Sequence, residues 1–301
     1  MSAGSAAPLV SVGMPVYNEE RTLEAAVYAL LHQTYPTLEI IISDNASSDG
    51  TRAIGERLAL SDDRVRYSRR PENQGPHSNF RYVLENARGT YFMWAGADDI
   101  WQPTYIEKNL ARLEADPDLV CSISQVRWGI DGEGGGLATG TASLEGSVRS
   151  NVKRYLRNGR DNSRFYGLFV REALVASYPS DTFYGLDLAM MLGTLMLGKH
   201  AELDEVLMKR TRTDPMSYIS HVDELNRPGA ERWMPLLPFT RYVLLDLRIP
   251  LAPSSIALLI IRNIYEHLRY AAQHQSFYGS FARKLVKISQ PVRLRLVSAR
   301  R

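Results

Sequence analysis

Cysteines, glycine-rich phosphate loops and uninterrupted apolar runs are scarce in this 301-residue sequence. Cys121 is the single cysteine, which excludes an internal disulfide framework and a cysteine-based zinc site. No GxGxxG or GxxxxGK(S/T) pattern occurs, which disfavours a dinucleotide-binding Rossmann site and a P-loop. The most apolar late stretch, residues 243–261, contains charged residues and prolines, so it does not predict a transmembrane helix.

The overall composition is that of a folded protein with a full core, with 45% hydrophobic and 23% charged residues. The net charge of +3 creates no field that would attract nucleic acid. Residues 1–8 lack the basic start and apolar run of a secretory leader, so we expect a cytoplasmic protein.

Short apolar runs alternate with helical patterns over the first half of the chain. Strands are predicted at residues 9–16, 38–43, 65–68, 91–95 and 119–128, with helices between them and Asn18 as the N-cap of the first helix. This alternation predicts an α/β fold whose mostly parallel sheet is flanked by helices.

Polar and acidic residues follow three of these strands. Glu19 comes after the first strand, Asp44 and Asp49 after the second, and Asp98 and Asp99 after the fourth. Each pattern alone is typical of an Asx turn or a helix cap. Their order predicts a ligand site, because ligands of such sheets bind outside the carboxyl ends of the strands. Carboxylates there suit Mg²⁺ or Mn²⁺.

Two segments resemble the family-2 glycosyltransferases of GT-A fold. They read VSVGMPVYNEERTLEAAVYALLHQTYPTLEIIISDNASSDGT and RRPENQGPHSNFRYVLENARGTYFMWAGADDIWQPTYIEKNL. The likeness extends over about residues 10–217. In this resemblance Asp44 hydrogen-bonds the base, usually uracil, and Asp49 supports the same loop. The residues implied at the nucleoside, ribose and donor sugar are Pro15, Val16, Tyr17, Glu19, Asp44, Asp49, Asn73 and Gly75.

The same resemblance makes Asp98 the acid of a DxD motif that binds a divalent cation, Mn²⁺ or Mg²⁺, with Asp99 beside it. The sequence departs from the family at Gly96, where the first acid of the motif belongs, and this weakens the expected metal site. A second departure places Arg212 where the family often has a histidine near the diphosphate. An arginine there would neutralise phosphate directly.

The segment FYGLDLAMMLGTLMLGK resembles the family's G-x-D region, which implies that Asp187 is the general base. A carboxylate there would take the proton of the acceptor hydroxyl, and the single displacement would invert the anomeric configuration. Tyr166 and Tyr184 are the aromatic residues expected near the acceptor.

These features predict an inverting transferase that moves a sugar from a nucleotide-diphosphate donor, a UDP-sugar first, to a glycan or lipid-linked acceptor in surface polysaccharide or glycoconjugate synthesis. A non-catalytic nucleotide-sugar-binding subunit of a polysaccharide assembly complex is the alternative. A nucleotidyltransferase is disfavoured, because Glu19 and Glu20 stand where that class has a basic loop.

We expect a catalytic domain at residues 1–225, with a donor-binding half at about 9–128 and an acceptor half at about 129–225. Residues 226–301 form a helical, basic extension. Residues 267–301 carry eight Lys and Arg and no Asp or Glu. Such a segment can lie on the inner face of an anionic membrane. It can equally pack on the catalytic domain or form a homodimer, and the sequence leaves these alternatives open.

Overall fold

The computed structural model describes residues 6–129, 135–158, 161–211, 225, 231, 234–247, 249 and 251–273. The chain divides into two compact units. One comprises Met1–Tyr178 and Met190–Arg212, and the other comprises Pro179–Ala189 and Thr213–Arg301. Residues 179–189 therefore group with the C-terminal part of the chain. The domain boundary expected between residues 225 and 226 stays a prediction.

The first unit contains an eight-stranded sheet. Its strands are β1 (Val10–Val16), β2 (Leu38–Asp44), β3 (Val65–Arg69), β4 (Tyr91–Trp94), β5 (Ile100–Trp101), β6 (Leu119–Gly129), β7 (Leu168–Val170) and β8 (Lys199–Thr211). The helices along the same part of the chain are α1 (Leu23–Leu31), α2 (Thr51–Ser61), α3 (Gly75–Glu85), α4 (Tyr105–Glu114), α5 (Val148–Asn158), α6 (Arg171–Ser177) and α7 (Leu186–Leu197). The second unit adds α8 (Leu237–Leu245) and α9 (Pro253–Gln273).

The strands lie in the order β3-β2-β1-β4-β7-β6-β8-β5, which confirms the α/β class. Four of the seven pairings are parallel: β1 with β2 and β4, β2 with β3, and β6 with β8. The other three are antiparallel, because β7 runs against β4 and β6, and β5 runs against β8. The sheet is therefore mixed, with its parallel β1–β4 half built from successive strand–helix–strand crossovers.

The central strands are mostly apolar and almost wholly buried because both faces of the sheet are covered. Every residue of β2 is buried, and β1 exposes only part of Pro15. On α1 the residues Leu23, Ala26, Val27 and Leu30 are buried at helical spacing. Gly13 is required on β1, since a Cβ there would lie 2.6 Å from the Phe92 ring. This packing holds the carboxyl ends of β1 and β2 in place.

The start of α1 corrects the expected cap. The helix begins at Leu23 after Thr22, and Asn18 lies outside it in a left-handed conformation with φ of 57°. Asparagine tolerates this conformation better than most residues, because its short polar side chain can hydrogen-bond locally. Asn18 therefore turns the chain sharply out of β1 instead of capping α1.

Candidate functional site

Two loops interlock at the carboxyl ends of β1 and β2. We call residues 17–22 and 45–50 the paired loops. Backbone N–H groups of the first loop donate to side chains at the second: Asn18 to Ser47 Oγ (2.9 Å), Glu19 to Thr51 Oγ1 (2.7 Å) and Glu20 to Asp49 Oδ2 (3.1 Å). The second loop returns two bonds, from Ser48 N–H to Asn18 Oδ1 (2.9 Å) and from Gly50 N–H to Glu20 Oε2 (2.8 Å). These reciprocal bonds explain why the two sequence motifs occur together.

Asp44 ends β2 beneath the paired loops, and its side chain is 0% exposed. Its Oδ2 accepts a hydrogen bond from the Tyr67 hydroxyl at 2.7 Å, and its Oδ1 accepts one from the Ser47 N–H at 2.8 Å. The Nε of Arg69 lies 3.6 Å from Oδ2. In this arrangement both carboxylate oxygens of Asp44 are bonded within the protein, and Asp44 shapes the second loop. The base-recognition role of Asp44 stays a prediction.

Asn45 brings the loop after β3 to the paired loops, a role that we did not predict from the sequence. Its Nδ2 donates to Asn73 Oδ1 at 2.8 Å, and its Oδ1 accepts the Gln74 N–H at 3.0 Å. Gly75 donates its N–H to the same Asn73 Oδ1 at 2.9 Å. Its φ of 78° explains why glycine is needed there. Asn73 and Gly75 are thus fixed beside the paired loops, and their role at the donor sugar stays a prediction.

Asn79 is a second positioning residue missed by the sequence reasoning. It lies on α3, is 3% exposed, and donates from Nδ2 to the carbonyls of Ser43 (2.8 Å) and Val16 (3.3 Å). These bonds join the ends of β1 and β2. A buried asparagine on an otherwise apolar helix face is the signal that identifies such a role, because buried amides need partners.

The side chains around the first loop differ in accessibility. Pro15 is half-buried, Val16 is buried, and Tyr17 is 47% exposed, so its ring is open to a ligand. Burial raises the pKa of the half-buried Glu19, while a hydrogen bond from Thr22 opposes that effect. The charges of Asp98 and Asp49 also raise the pKa of Glu19. The acidic groups from the ends of β1, β2 and β4 therefore act on one another.

Residues 96–99, which we call the acidic turn, follow β4. Asp98 is exposed, whereas Asp99 is only 4% exposed. The Thr211 hydroxyl donates to the Asp98 carbonyl at 3.0 Å and holds the turn against the end of β8. A Cβ on Gly96 would lie 2.9 Å from Asp98 Oδ1 and 3.0 Å from Asp99 Oδ2. A side chain at position 96 would therefore push against the carboxylates of both Asp98 and Asp99.

Arg210 on β8 is the basic partner of the acidic turn. Its Nε lies 3.4 Å from Asp99 Oδ2, and its guanidinium carbon lies 4.0 Å from the Tyr166 ring centroid and 4.8 Å from that of Trp128. Burial raises the pKa of Asp99 to about 7, although the Arg210 charge lowers it. Asp99 therefore faces a cation in the protein, and Asp98 is the carboxylate of the turn that solvent reaches.

The acidic turn fits a cation that is shared with a ligand. In the described part of the chain, no cluster of three or more His, Cys, Asp or Glu side chains could hold a metal ion. Mg²⁺ and related ions are commonly bound by one or two carboxylates, with water and substrate phosphate as the other ligands. Asp98 offers one exposed carboxylate of that kind.

Asp187 and Tyr184 belong to the second unit. Asp187 is half-buried in the first turn of α7, and its Oδ1 accepts the Leu188 N–H at 2.8 Å. A carboxylate suits this position because helix N-termini carry positive partial charge. Tyr184 is also half-buried, and Gly185 between the two residues has a φ of 90°. Arg212, expected near the diphosphate, lies outside the described residues.

The family model for glycosyl transferase family 2 matches residues 11–174, which contain the paired loops and the acidic turn. The chain belongs to glycosyl transferase family 2. The resemblance found in the sequence is thereby confirmed. The match ends before Asp187, so the general-base role of that residue stays a prediction.

Several curated proteins are similar over part of the chain. The Bacillus subtilis teichuronic acid biosynthesis glycosyltransferase TuaG is 38% identical over 103 residues, or 34% of this chain and 41% of that protein. B. subtilis glycosyltransferase EpsE is 36% identical over 108 residues, or 36% of this chain and 39% of that protein. An uncharacterized glycosyltransferase of Rickettsia felis is 40% identical over 101 residues, 33% of this chain and 16% of that protein. The chain thus spans less than half the length of these relatives.

Solved structures share the fold. TarS 1-349 from S. aureus, in complex with UDP-GlcNAc, has a TM-score of 0.57 at 16% identity, covering 87% of this chain and 81% of that chain. The mannosyltransferase PcManGT from Pyrobaculum calidifontis, in complex with GDP-Man and Mn²⁺, has a TM-score of 0.51 at 18% identity, covering 96% and 81%. At these identities the likeness is one of fold, and it confirms the GT-A architecture.

Proposed function

We propose that the protein is an inverting glycosyltransferase that moves a sugar from a nucleoside-diphosphate donor to a hydroxyl group of a glycan or lipid-linked acceptor. A UDP-sugar is the favoured donor. The observation that carries this proposal is the convergence of the paired loops and Asp98 at one edge of the sheet, where the charge of Asp98 raises the pKa of Glu19. Ligands of open α/β sheets bind at this edge. Membership of glycosyl transferase family 2 assigns the reaction class.

The donor would bind against the paired loops. Tyr17 presents an exposed aromatic ring, and Asn73 and Gly75 are fixed beside the second loop by Asn45. A preformed site of this kind lowers the cost of ordering side chains on binding. The UDP-GlcNAc complex of TarS supports a uridine nucleotide as the first donor to test, and the GDP-Man complex of PcManGT makes guanosine the second.

Asp98 would hold the divalent cation, Mn²⁺ or Mg²⁺, and Asp99 would pair with Arg210 instead of binding metal. A cation bound there would offset the negative charge of the leaving diphosphate. The Mn²⁺ complex of PcManGT supports this cofactor. Arg212 would add positive charge near the diphosphate, as the sequence resemblance implies.

Asp187 would act as the general base. Its carboxylate would accept the proton of the acceptor hydroxyl while that oxygen forms a bond to the anomeric carbon. The bond from the anomeric carbon to the diphosphate breaks in the same step, so the configuration inverts. Tyr166 and Tyr184 would contact the acceptor. The teichuronic acid assignment of TuaG supports a cell-surface polymer or its lipid-linked precursor as the acceptor class.

The test is sugar transfer by the full chain, measured as nucleoside-diphosphate release from UDP-, GDP- and dTDP-sugars with Mn²⁺ and glycan or lipid-linked acceptors. Asp187→Asn should lower turnover by about 10²-fold or more while donor binding persists, since a positioned base contributes about 10²–10⁴-fold. The matched control is Asp63→Asn, which changes an exposed aspartate just before the amino end of β3 and should keep full activity.

Donor binding without transfer to any acceptor would instead support the non-catalytic subunit. Equal turnover in Asp187→Asn and the wild type would contradict the assignment of the base. Product analysis by NMR gives the anomeric configuration, and retention of configuration would contradict the single displacement.

A further inference from the structure

Helix α9 presents its apolar side to solvent. Its exposed residues Ile256, Ile260, Ile261 and Ile264 are 39%, 54%, 60% and 51% exposed. Three of them follow at intervals of four residues and therefore form one stripe along the helix. We call these four residues the isoleucine face. An exposed patch of large aliphatic side chains is unusual for a soluble surface and marks an interaction site.

The inward side of α9 contains polar anchors. Asn263 is 3% exposed, and its Nδ2 donates to Thr240 Oγ1 on α8 at 2.6 Å and to the Leu259 carbonyl at 3.0 Å. Ser255, about two helical turns earlier, is 1% exposed. Rotating α9 to bury the isoleucine face would break the bond between Asn263 and Thr240 on α8, and losing a buried hydrogen bond is costly. The helix is therefore fixed with its isoleucines outward.

The end of α8, in the same unit, also exposes large aliphatic side chains: Leu244 and Leu245 are 43% and 64% exposed. Among the described helices, none is long and apolar enough to cross a membrane. An apolar helix face that does not span a bilayer can bind in its interfacial region, parallel to the surface. The 21 residues of α9 would cover about 31 Å in that orientation.

The charge of the neighbouring sequence indicates what binds the isoleucine face. The residues that follow α9, 274–301, carry seven Lys and Arg and no Asp or Glu. Each basic residue near an anionic leaflet contributes about 1 kcal/mol. A second copy of this chain carries the same basic segment, so self-association through this region adds no complementary negative charge. Charge complementarity therefore favours an anionic lipid surface over self-association.

We propose that the isoleucine face of α9 binds the surface of an anionic lipid bilayer. The isoleucines enter the boundary between headgroups and acyl chains, and the positive charge of the sequence that follows α9 favours a negatively charged surface. Such a surface would hold the protein where a lipid-linked acceptor is located. The surface itself does not depend on the donor site, so this proposal and the proposed function can fail separately.

The test is co-sedimentation of the full chain with vesicles of phosphatidylcholine alone or with 30% phosphatidylglycerol. The wild type should bind the anionic vesicles at least tenfold more strongly, and added salt should weaken that binding. The double variant Ile260→Ser, Ile264→Ser should lose at least tenfold of the affinity. The matched control is Leu60→Ser, which removes an isolated apolar residue that is 90% exposed on α2 and should bind as the wild type does.

A charge variant, Arg283→Gln with Lys284→Gln and Lys287→Gln, should also weaken binding to anionic vesicles and reduce its salt dependence. Equal binding of the wild type to both vesicle types, or undiminished binding by the isoleucine variant, would overturn the proposal. So would a dimer that the isoleucine variant converts to a monomer, without any vesicle binding. A large fall in the melting temperature of that variant would show that the chain itself covers the face, and this too would overturn it.

Discussion

Replacing Arg210 by methionine should lower the free energy of unfolding by about 3–5 kcal/mol, the cost of removing one partner of a buried ion pair. The Nε of Arg210 and the Oδ2 of Asp99 are 3.4 Å apart, and their side chains are 13% and 2% exposed. Arg210 lowers the pKa of the buried Asp99, which is about 7, so without Arg210 this carboxyl either takes up a proton or stays buried as a carboxylate without a cation. The full cost is therefore measured at about pH 8.5, above the pKa of Asp99. The substitution also removes the contacts of the guanidinium with the rings of Tyr166 and Trp128.

A double-mutant cycle separates this pair from general loss of packing. Asp99→Asn combined with Arg210→Met removes both charges, so the double variant should be more stable than Arg210→Met alone. We expect a coupling free energy of about 0.5–3 kcal/mol between the two positions. The control is Arg52→Met. The ion pair of Arg52 with Glu56 has side chains 61% and 49% exposed, so its loss should cost less than about 1 kcal/mol.

The assay is urea unfolding followed by tryptophan fluorescence, with the slope of the transition compared among variants. The reasoning is refuted if Arg210→Met lies within about 1 kcal/mol of the wild type, like the Arg52 control. Strict additivity of the two single substitutions would refute the pairing of Arg210 with Asp99.

Three further substitutions test the packing and protonation of the first unit. Gly96→Asp should weaken Mn²⁺-dependent nucleotide binding in calorimetry, because its Cβ would lie within 3.0 Å of both carboxylates of the acidic turn; tighter binding would contradict this. Gly55→Ala should lower the free energy of unfolding in urea by about 1–3 kcal/mol, because the new Cβ would lie 2.3 Å from the Tyr67 ring. The control Gly136→Ala should be nearly neutral, because no other atom lies within 4 Å of its Cβ. Burial lowers the pKa of His200 well below its usual value. The unfolded state therefore binds a proton below about pH 6.5 that the folded state does not, and stability falls with decreasing pH by up to about 1.4 kcal/mol per unit. His200→Leu should flatten this dependence between about pH 6.5 and 5, and parallel curves would contradict it.

Strands β1–β4 and the helices between them were predictable because each of these elements has a local signal. The apolar runs of β1 and β2 end at polar loops, and the acidic residues that follow them meet at one edge of a parallel sheet. The bonds between the paired loops could not be predicted, since they depend on backbone geometry such as the φ of 57° at Asn18.

β8 and the Arg210–Asp99 pair were missed for a different reason. Glu202, Asp204 and Glu205 interrupt the apolar pattern of β8, and its pairing with β6 contains shifts of register near Ser124. A pairing between distant segments leaves no local pattern in the sequence. The side on which α9 exposes its isoleucines was equally hidden, because periodicity identifies an apolar stripe but not the surface that it faces.

The central claim is that Asp98 and the paired loops bind a nucleoside diphosphate together with a divalent cation. The most direct measurement is the thermal shift of the wild type and of Asp98→Ala with UDP, GDP or dTDP in Mn²⁺, Mg²⁺ or EDTA. A nucleotide at 100 times its dissociation constant should add about 2.7 kcal/mol of stability. We expect a shift with one base, increased by the cation in the wild type and not in Asp98→Ala. The absence of a shift with every nucleotide and cation would contradict it.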